Sequence, residues 1–306
     1  MSLRRYVATG RGQPLAIAAV LGGSLVGGVA IGVIEAEIDA WFSLLVIFPL
    51  LIGFAAGGGA AWMIGRFQLR APVLAAALAI IGAATGYVGG HYVNYRQFRA
   101  GIEAEVSRED ATASDDQIAK VPDEVLVHET GSSGFRGYLD LAAREGVHIK
   151  RMSASDDGTT FTGAAAWVVW LLELLLAAGG AAYLAFARAR EPFCESCESW
   201  YGSARPIVSG GNGAKDSRKT LLAALEAGDV ISAAAVLAVA PGPKASFYLE
   251  ASTCPRCSTD AHCTLKHVRR KGSKTSVSTL ESWLMTSAEL TGFSSALERA
   301  ADDQRR

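Results

Sequence analysis

The stretch FTGAAAWVVWLLELLLAAGGAAYLAFARAREPFCESC, Phe161 to Cys197, decides how this chain is read. From about Thr162 to Phe186 it is apolar enough and long enough to cross the ~30 Å hydrocarbon core of a bilayer as a helix. It closes on Arg188 and Arg190, and Cys194-x2-Cys197 follows within a few residues. A membrane span is joined almost directly to half of a metal knuckle.

The rest of the chain fits that reading. Of 306 residues 50% are hydrophobic and 19% charged, and the apolar residues come in long blocks, which argues against an ordinary soluble globule. Many of the 33 glycines lie inside those blocks, as is common in membrane helices. The net charge of −1 points to no partner, so the information lies in where the charges fall.

Three further spans precede that one: Pro14–Ile34, Trp41–Ile64, and Pro72 to about Val93, with Pro72 suited to a first helical turn. A signal peptide competes for the first run, but its apolar region would cover about 7–15 residues and end at a small-residue site. Pro14–Ile34 is longer and leads into Glu35, Glu37 and Asp39, so a retained helix is expected. Arg4-Arg5 is too little for a twin-arginine signal. Trp41 and Trp62 suit interfacial anchors.

Positive charge favours the cytoplasmic side. That places the N-terminus (Arg4, Arg5, Arg11), the Arg66–Arg70 link and the Arg188/Arg190 exit inside, with Glu35–Asp39 and segment 94–160 outside. Four spans satisfy every loop, with both termini expected on the cytoplasmic side. The five cysteines, Cys194, Cys197, Cys254, Cys257 and Cys263, all follow the last span. They therefore fall in a reducing compartment, where thiolates stay available for metal.

Small residues recur at four-residue spacing: Gly23/Gly27, Gly28/Gly32, Gly53/Gly57, Gly82/Gly86 and Gly86/Gly90. Between helices in lipid, close backbone approach is what permits association. Packing within one four-helix bundle is the simpler reading. A homo-oligomeric seam or a lined pathway is the sharper one.

Segment 94–160 is expected to form a small external α+β cap: a charged extension of the third span to about Lys120, fraying at residues 111–116, a strand at Glu124–Val127, a turn at 131–134, a helix at Phe135–Glu145 and a strand at Val147–Ile149. After the first knuckle, residues 203–241 read as a helical insertion (Lys219–Glu226, ended by Gly228, then Val230–Val239). Pro241-Gly-Pro243 breaks the chain. Ser246–Ser252 is expected as a strand entering Cys254-Pro-Arg-Cys257, His262–Arg269 and Thr275–Thr279 as strands joined by Lys-Gly-Ser-Lys, and Trp283–Gln304 as an amphipathic helix.

The strongest chemical signal is Cys194/Cys197 with Cys254/Cys257. Two knuckles can close a tetrahedral four-thiolate Zn2+ site with no open position, hence structural rather than catalytic. The separation, residues 198–253, exceeds the ~15–20 residues usual between such pairs. Neither pair has the βαβ context of a redox CxxC. Cys263 and His262 are alternates, with a buried strand position the simpler role for Cys263.

Glu173 sits mid-span between leucines. A carboxylate there costs about 2.5–3.5 kcal/mol, so it should face the bundle or be protonated, with proton or cation handling one role and a hydrogen bond to Thr85 or Ser24 the other. It reads as a lone acid, with His91 and Tyr92 nearer the interface. Lys266, Arg269, Arg270, Lys271 and Lys274, with His267, make a basic hairpin tip: a solvated turn, or a contact for anionic lipid, with nucleic acid the weaker partner. No nucleotide loop, Ser/His/Asp set, HExxH or paired-carboxylate arrangement occurs.

GFRGYLDLAAREGV (134–147), Trp167–Glu173 and EPFCESC (191–197) resemble a group of uncharacterised bacterial multi-pass membrane proteins that end in a zinc ribbon. The resemblance covers about the second half of the chain and implies architecture without an activity. The expected protein is membrane all-α, with four transmembrane helices, a small α+β extracytoplasmic cap at 94–160 and a cytoplasmic zinc-ribbon-like domain at 188–306. It binds structural Zn2+ and serves as a non-enzymatic interaction, scaffold or sensing module with a cytoplasmic protein partner. A small transporter or oligomeric channel using Glu173 is the alternative, and an enzyme acting at the cytoplasmic face is the third.

Overall fold

The computed structural model describes residues 4–10, 12–39, 47–110, 114–149 and 159–306. Arg11, Trp41 with the start of the second expected span, and residues 111–113 of the expected fraying point lie outside them. The chain divides into two compact units, Thr9–Arg190 and a second made of Met1–Ala8 with Glu191–Arg306. The N-terminal strand β1 (Arg4–Arg5) therefore belongs with the C-terminal residues.

The Thr9–Arg190 unit holds α1 (Pro14–Asp39), α2 (Ile47–Phe67), α3 (Pro72–Glu109), α4 (Asp115–Ile118), α5 (Val121–Thr130), α6 (Gly134–Glu145), strands β2 (Val147–Ile149) and β3 (Thr159–Phe161), and α7 (Ala164–Ala189). Among the described residues α1, α2, α3 and α7 are long and apolar enough to cross a membrane. Pro72 opens α3, where its missing N–H costs nothing, and Arg188 sits in the last turn of α7, where a cation complements the helix dipole.

Glycine lets these helices touch backbone to backbone. A Cβ at Gly32 would lie 2.2 Å from the Gly86 carbonyl oxygen, and one at Gly28 2.4 Å from that of Gly82, so α1 and α3 are in main-chain contact. A Cβ at Gly53 would lie 2.5 Å from the carbonyl oxygen of Ala177, which does the same for α2 against α7. The four-residue spacing thus packs one bundle. Ser24 is fully buried and donates to the Ala79 carbonyl, and Thr85 donates to the Ile81 carbonyl of its own helix.

Segment 94–160 is more helical than expected. Its charged start is continuous with α3, and residues 124–127, expected as a strand, lie within α5. The start signals there are Pro122 and the acids Asp123 and Glu124 in the first turn, with Gly131 at φ +77° closing the helix. Arg99 ties this helix to α3. It donates to Asp123 Oδ2 (3.2 Å), Tyr95 Oη (3.1 Å) and the Ala119 carbonyl (2.8 Å). Tyr92, Tyr95 and Phe135 then stack, with ring centroids 5.6–5.8 Å apart, holding α6 on the same end of α3. Val147–Ile149 is a strand as expected, antiparallel to β3.

The second unit adds β4 (Phe193–Cys194), β5 (Ser199–Trp200), β6 (Arg205–Gly210), α8 (Lys215–Ala227), α9 (Val230–Ala238), β7 (Ala245–Thr253), β8 (Asp260–Lys271), β9 (Lys274–Thr286) and α10 (Ser287–Asp303). The sheet order is β1-β9-β8-β7-β6, antiparallel throughout. Phe247, Leu249 and Ala251 on β7 alternate with Ala261, Cys263 and Leu265 on β8 to make one buried face, the period of two that a strand imposes. Leu221 and Leu225 of α8, Leu237 of α9 and Phe293 of α10 complete that core. Residues 203–241 are therefore part of the domain core rather than an appendage, and they include the unexpected strand β6. Each fully buried Leu or Phe contributes about 1.5–3 kcal/mol.

The last helix begins later than expected. Trp283–Thr286 continue β9, and Thr286 caps α10 in a reciprocal box with Glu289.

Candidate metal centre

Four cysteines from two distant hairpins meet. Cys194 ends β4 and Cys197 lies in the β4–β5 turn, while Cys254 and Cys257 flank the turn between β7 and β8. Their four Sγ atoms all lie within 4.8 Å of one another, and Cys194 Sγ is 3.8 Å from Cys257 Sγ. A tetrahedral metal with M–S bonds of ~2.3 Å demands S···S edges of about 3.8 Å. All five cysteines are free thiols. The donor set therefore fits a metal.

Local contacts build this site. The β4–β5 hairpin is clamped by Phe193 and Trp200, rings 5.1 Å apart and edge to face. Arg256, between the second pair, donates to the Cys197 carbonyl (2.9 Å) and joins the two knuckles. The Gly202 N–H bonds the Thr253 carbonyl (3.0 Å), fixing the exit of the first hairpin against the entry of the second. Glu198 and Ser258, one residue past each pair, both adopt positive φ (48° and 51°), so the two turns share a backbone form.

The thiols are electrostatically unequal. Burial would raise Cys254, but hydrogen bonds from Ser199 and from the backbone N–H groups of Cys257 and Arg256 outweigh it and bring it down to about 6. Thr259, through its hydroxyl and N–H, lowers Cys257. Cys197 is pushed up to about 12, chiefly by its hydrogen bond with Cys257, and burial raises Cys194. Cys254 is thus predisposed to be a thiolate, whereas Cys197 holds its proton. A metal would displace that proton on binding.

Cys263 and His262 stay outside this set. Cys263 is fully buried on β8 against Met285 Sδ (3.4 Å), and burial pushes its thiol up to about 12, the state of an inert core residue. His262 packs edge-on to Tyr6 (5.4 Å) and lies near Tyr201, and burial lowers it to about 4.

The helical unit carries a separate polar cluster. Glu173 on α7 accepts a hydrogen bond from the Tyr87 hydroxyl of α3 at 2.8 Å, so its partner is neither Thr85 nor Ser24. His91, one turn beyond Tyr87, lies edge-on to Tyr87 (5.0 Å) and Trp170 (5.3 Å). Glu173 thus makes a hydrogen bond to a neighbouring helix, one of the two roles expected for it, with a tyrosine as the donor. The available signal was the i,i+4 pair Tyr87/His91, next in sequence to Gly86 and Gly90, the glycines that meet α1. A cavity of about 240 Å³ adjoins the cluster, lined in part by Tyr87, His91, Phe135, Trp167 and Trp170.

The five expected basic side chains are all on the β8–β9 hairpin. Lys266 pairs with Glu250 across β7 and β8, whereas Arg269, Arg270, Lys271 and Lys274 are exposed at its tip.

No protein family, curated protein or solved structure matches this chain.

Proposed function

We propose that the chain is a four-span protein of a bacterial inner membrane whose C-terminal unit is stapled by structural Zn2+ on Cys194, Cys197, Cys254 and Cys257. That unit serves as a non-enzymatic docking or sensing module for a cytoplasmic partner. The observation that carries this reading is the convergence of four free thiols from two turns, all within 4.8 Å of one another. Four thiolates fill the coordination sphere and leave no position for substrate, which favours a structural role. Because such a site forms only when both hairpins are in place, metal binding contributes directly to folding.

Both termini on one side is supported by strand pairing. Arg4 and Arg5, ahead of the first helix, pair with Leu284 and Trp283, after the last. Paired strands must share one side of a membrane, and four crossings return the chain to the side it left. Arginines at the N-terminus, the Arg66–Arg70 link and the α7 exit favour the cytoplasm for that side.

The test is metal analysis of the full chain purified in detergent. One Zn2+ per chain, replaceable by Co2+ with a tetrahedral thiolate spectrum, is expected. A chain without bound metal, or one whose β unit unfolds identically with and without chelator, would refute the staple.

The Tyr87–Glu173 bond, with His91 beside it, favours a second reading: proton or cation movement through the bundle. Glu173→Gln should then abolish a flux in proteoliposomes while leaving the helices folded. Equal flux in the variant and the parent retires it.

A further inference from the structure

The β8–β9 hairpin extends past the domain core as a two-stranded arm. Every residue from Arg269 to Thr279 is exposed, although inner strands of a sheet normally bury one face. The turn is Gly272-Ser273, with Gly272 at φ +60°, a glycine-first two-residue turn that suits the twist of a hairpin. No Asp or Glu occurs between Ala261 and Leu280. The register puts Arg269, Lys271, Lys274 and Ser276 on one face of the arm. Arg270, Thr275 and the exposed Val277 share the other. None of the four tip cations engages its charged group in a hydrogen bond or ion pair among the described residues, whereas Lys266 at the base is held by Glu250.

Four free cations on an exposed arm with no acid among them suit an anionic surface. The arm carries no aromatic ring to stack on a base. The unit that bears it is joined by short chain segments to α1 and to α7, so a bilayer crossed by those helices is the anionic surface to which the arm's own domain is tethered.

We infer that the tip of the β8–β9 hairpin, through Arg269, Arg270, Lys271 and Lys274, docks on the anionic headgroups of the membrane in which the chain is anchored. Val277 supplies an apolar contact beside Arg270. Each cation near such a surface is worth about fivefold in occupancy, so the four together favour the docked state by several hundredfold. The inference rests on the four-span reading and is independent of the metal.

The experiment uses the full chain in nanodiscs of phosphatidylcholine alone or enriched in phosphatidylglycerol. The readouts are tryptic cleavage at Arg269–Lys274 and hydrogen exchange across β7 and the hairpin. Docking predicts at least tenfold slower cleavage in the anionic discs, loss of that protection at high salt, and loss in the K271E/K274E variant with β7 exchange unchanged. Equal cleavage in both lipids overturns the inference while leaving the four-span reading intact. Protection by added RNA or DNA in phosphatidylcholine discs overturns it in favour of a nucleic-acid arm. Failure of the chain to enter either disc removes the four-span reading and the inference with it.

Discussion

Gly32→Ala should separate α1 from α3. The new methyl carbon would start 2.2 Å from the Gly86 carbonyl oxygen and 2.9 Å from its carbon, both main-chain atoms that cannot rotate away. A carbon–oxygen contact settles near about 3.3 Å, so the helices must part by about 1 Å. That opening also loosens the neighbouring Gly28–Gly82 approach, at 2.4 Å by the same construction. Overpacking of this kind costs typically about 1–3 kcal/mol. Alanine is also a better helix former than glycine by about 1 kcal/mol, and that gain would mask part of the loss. Gly22 supplies the control, since it lies on the same helix and a Cβ there meets nothing within 4 Å. Gly22→Ala collects the propensity gain without the clash. The difference between the two variants therefore isolates the steric cost, about 1–3 kcal/mol. Equilibrium unfolding in mixed micelles reads it, with Trp62, Trp167 and Trp170 on α2 and α7 as fluorescent reporters. If Gly32→Ala proves as stable as Gly22→Ala, α1 and α3 are not in backbone contact and the packing argument fails.

The other predictions concern single sites. Cys254→Ala should abolish metal binding, while Cys263→Ala, equally buried, should keep one metal per chain and lose only ~1 kcal/mol of stability, the value of one small buried group. Metal stoichiometry of the two proteins decides this, and metal loss in the Cys263 variant would revise the ligand set. A Tyr87→Phe, Glu173→Leu double-mutant cycle should return a coupling of about 0.6 kcal/mol, up to ~1.7 kcal/mol, as measured for hydrogen bonds between membrane helices. Zero coupling would dissolve the α3–α7 polar link. His262 titrates at 6.5 when unfolded and about 4 when folded, because burial opposes its charge while Glu250 only partly restores it. The unfolded state therefore takes the proton first. The contribution of His262 is complete above pH 6.5 and falls as the pH drops towards 4, by about 3 kcal/mol in all. His262→Gln should remove that slope. Acid also protonates metal ligands, so the comparison is between variant and parent at each pH, and parallel curves would show that His262 is not held neutral.

Local pattern was sufficient for much of the chain. The helical spans were legible because an apolar run long enough for a bilayer has few other readings. Gly228 was a readable helix stop, and Gly131 was readable as a turn, since each takes a left-handed conformation that few other residues tolerate. The strands flanking Lys271–Lys274 were visible from β-branched residues around a glycine turn. Errors came where two local signals competed. Residues 124–127 look β-prone by composition, yet the Pro122–Asp123–Glu124 start and Gly131 stop made a helix. Trp283–Thr286 share helical spacing with the residues of α10, but strand pairing with His262 and Cys263 won, and the Thr286–Glu289 box set the boundary.

By itself, then, the sequence determined the number of candidate spans, the charge of each loop and the identity of the four thiols, because each is a property of a contiguous stretch. Only the tertiary structure decided that residues 198–253 return Cys254 to Cys194, that Arg4 and Arg5 pair with β9, and that Tyr87 holds Glu173. Those are meetings between groups far apart along the chain. Nothing in the local pattern around either partner specifies them. They depend on which faces the helices and strands bury, and that is settled by packing over the whole fold.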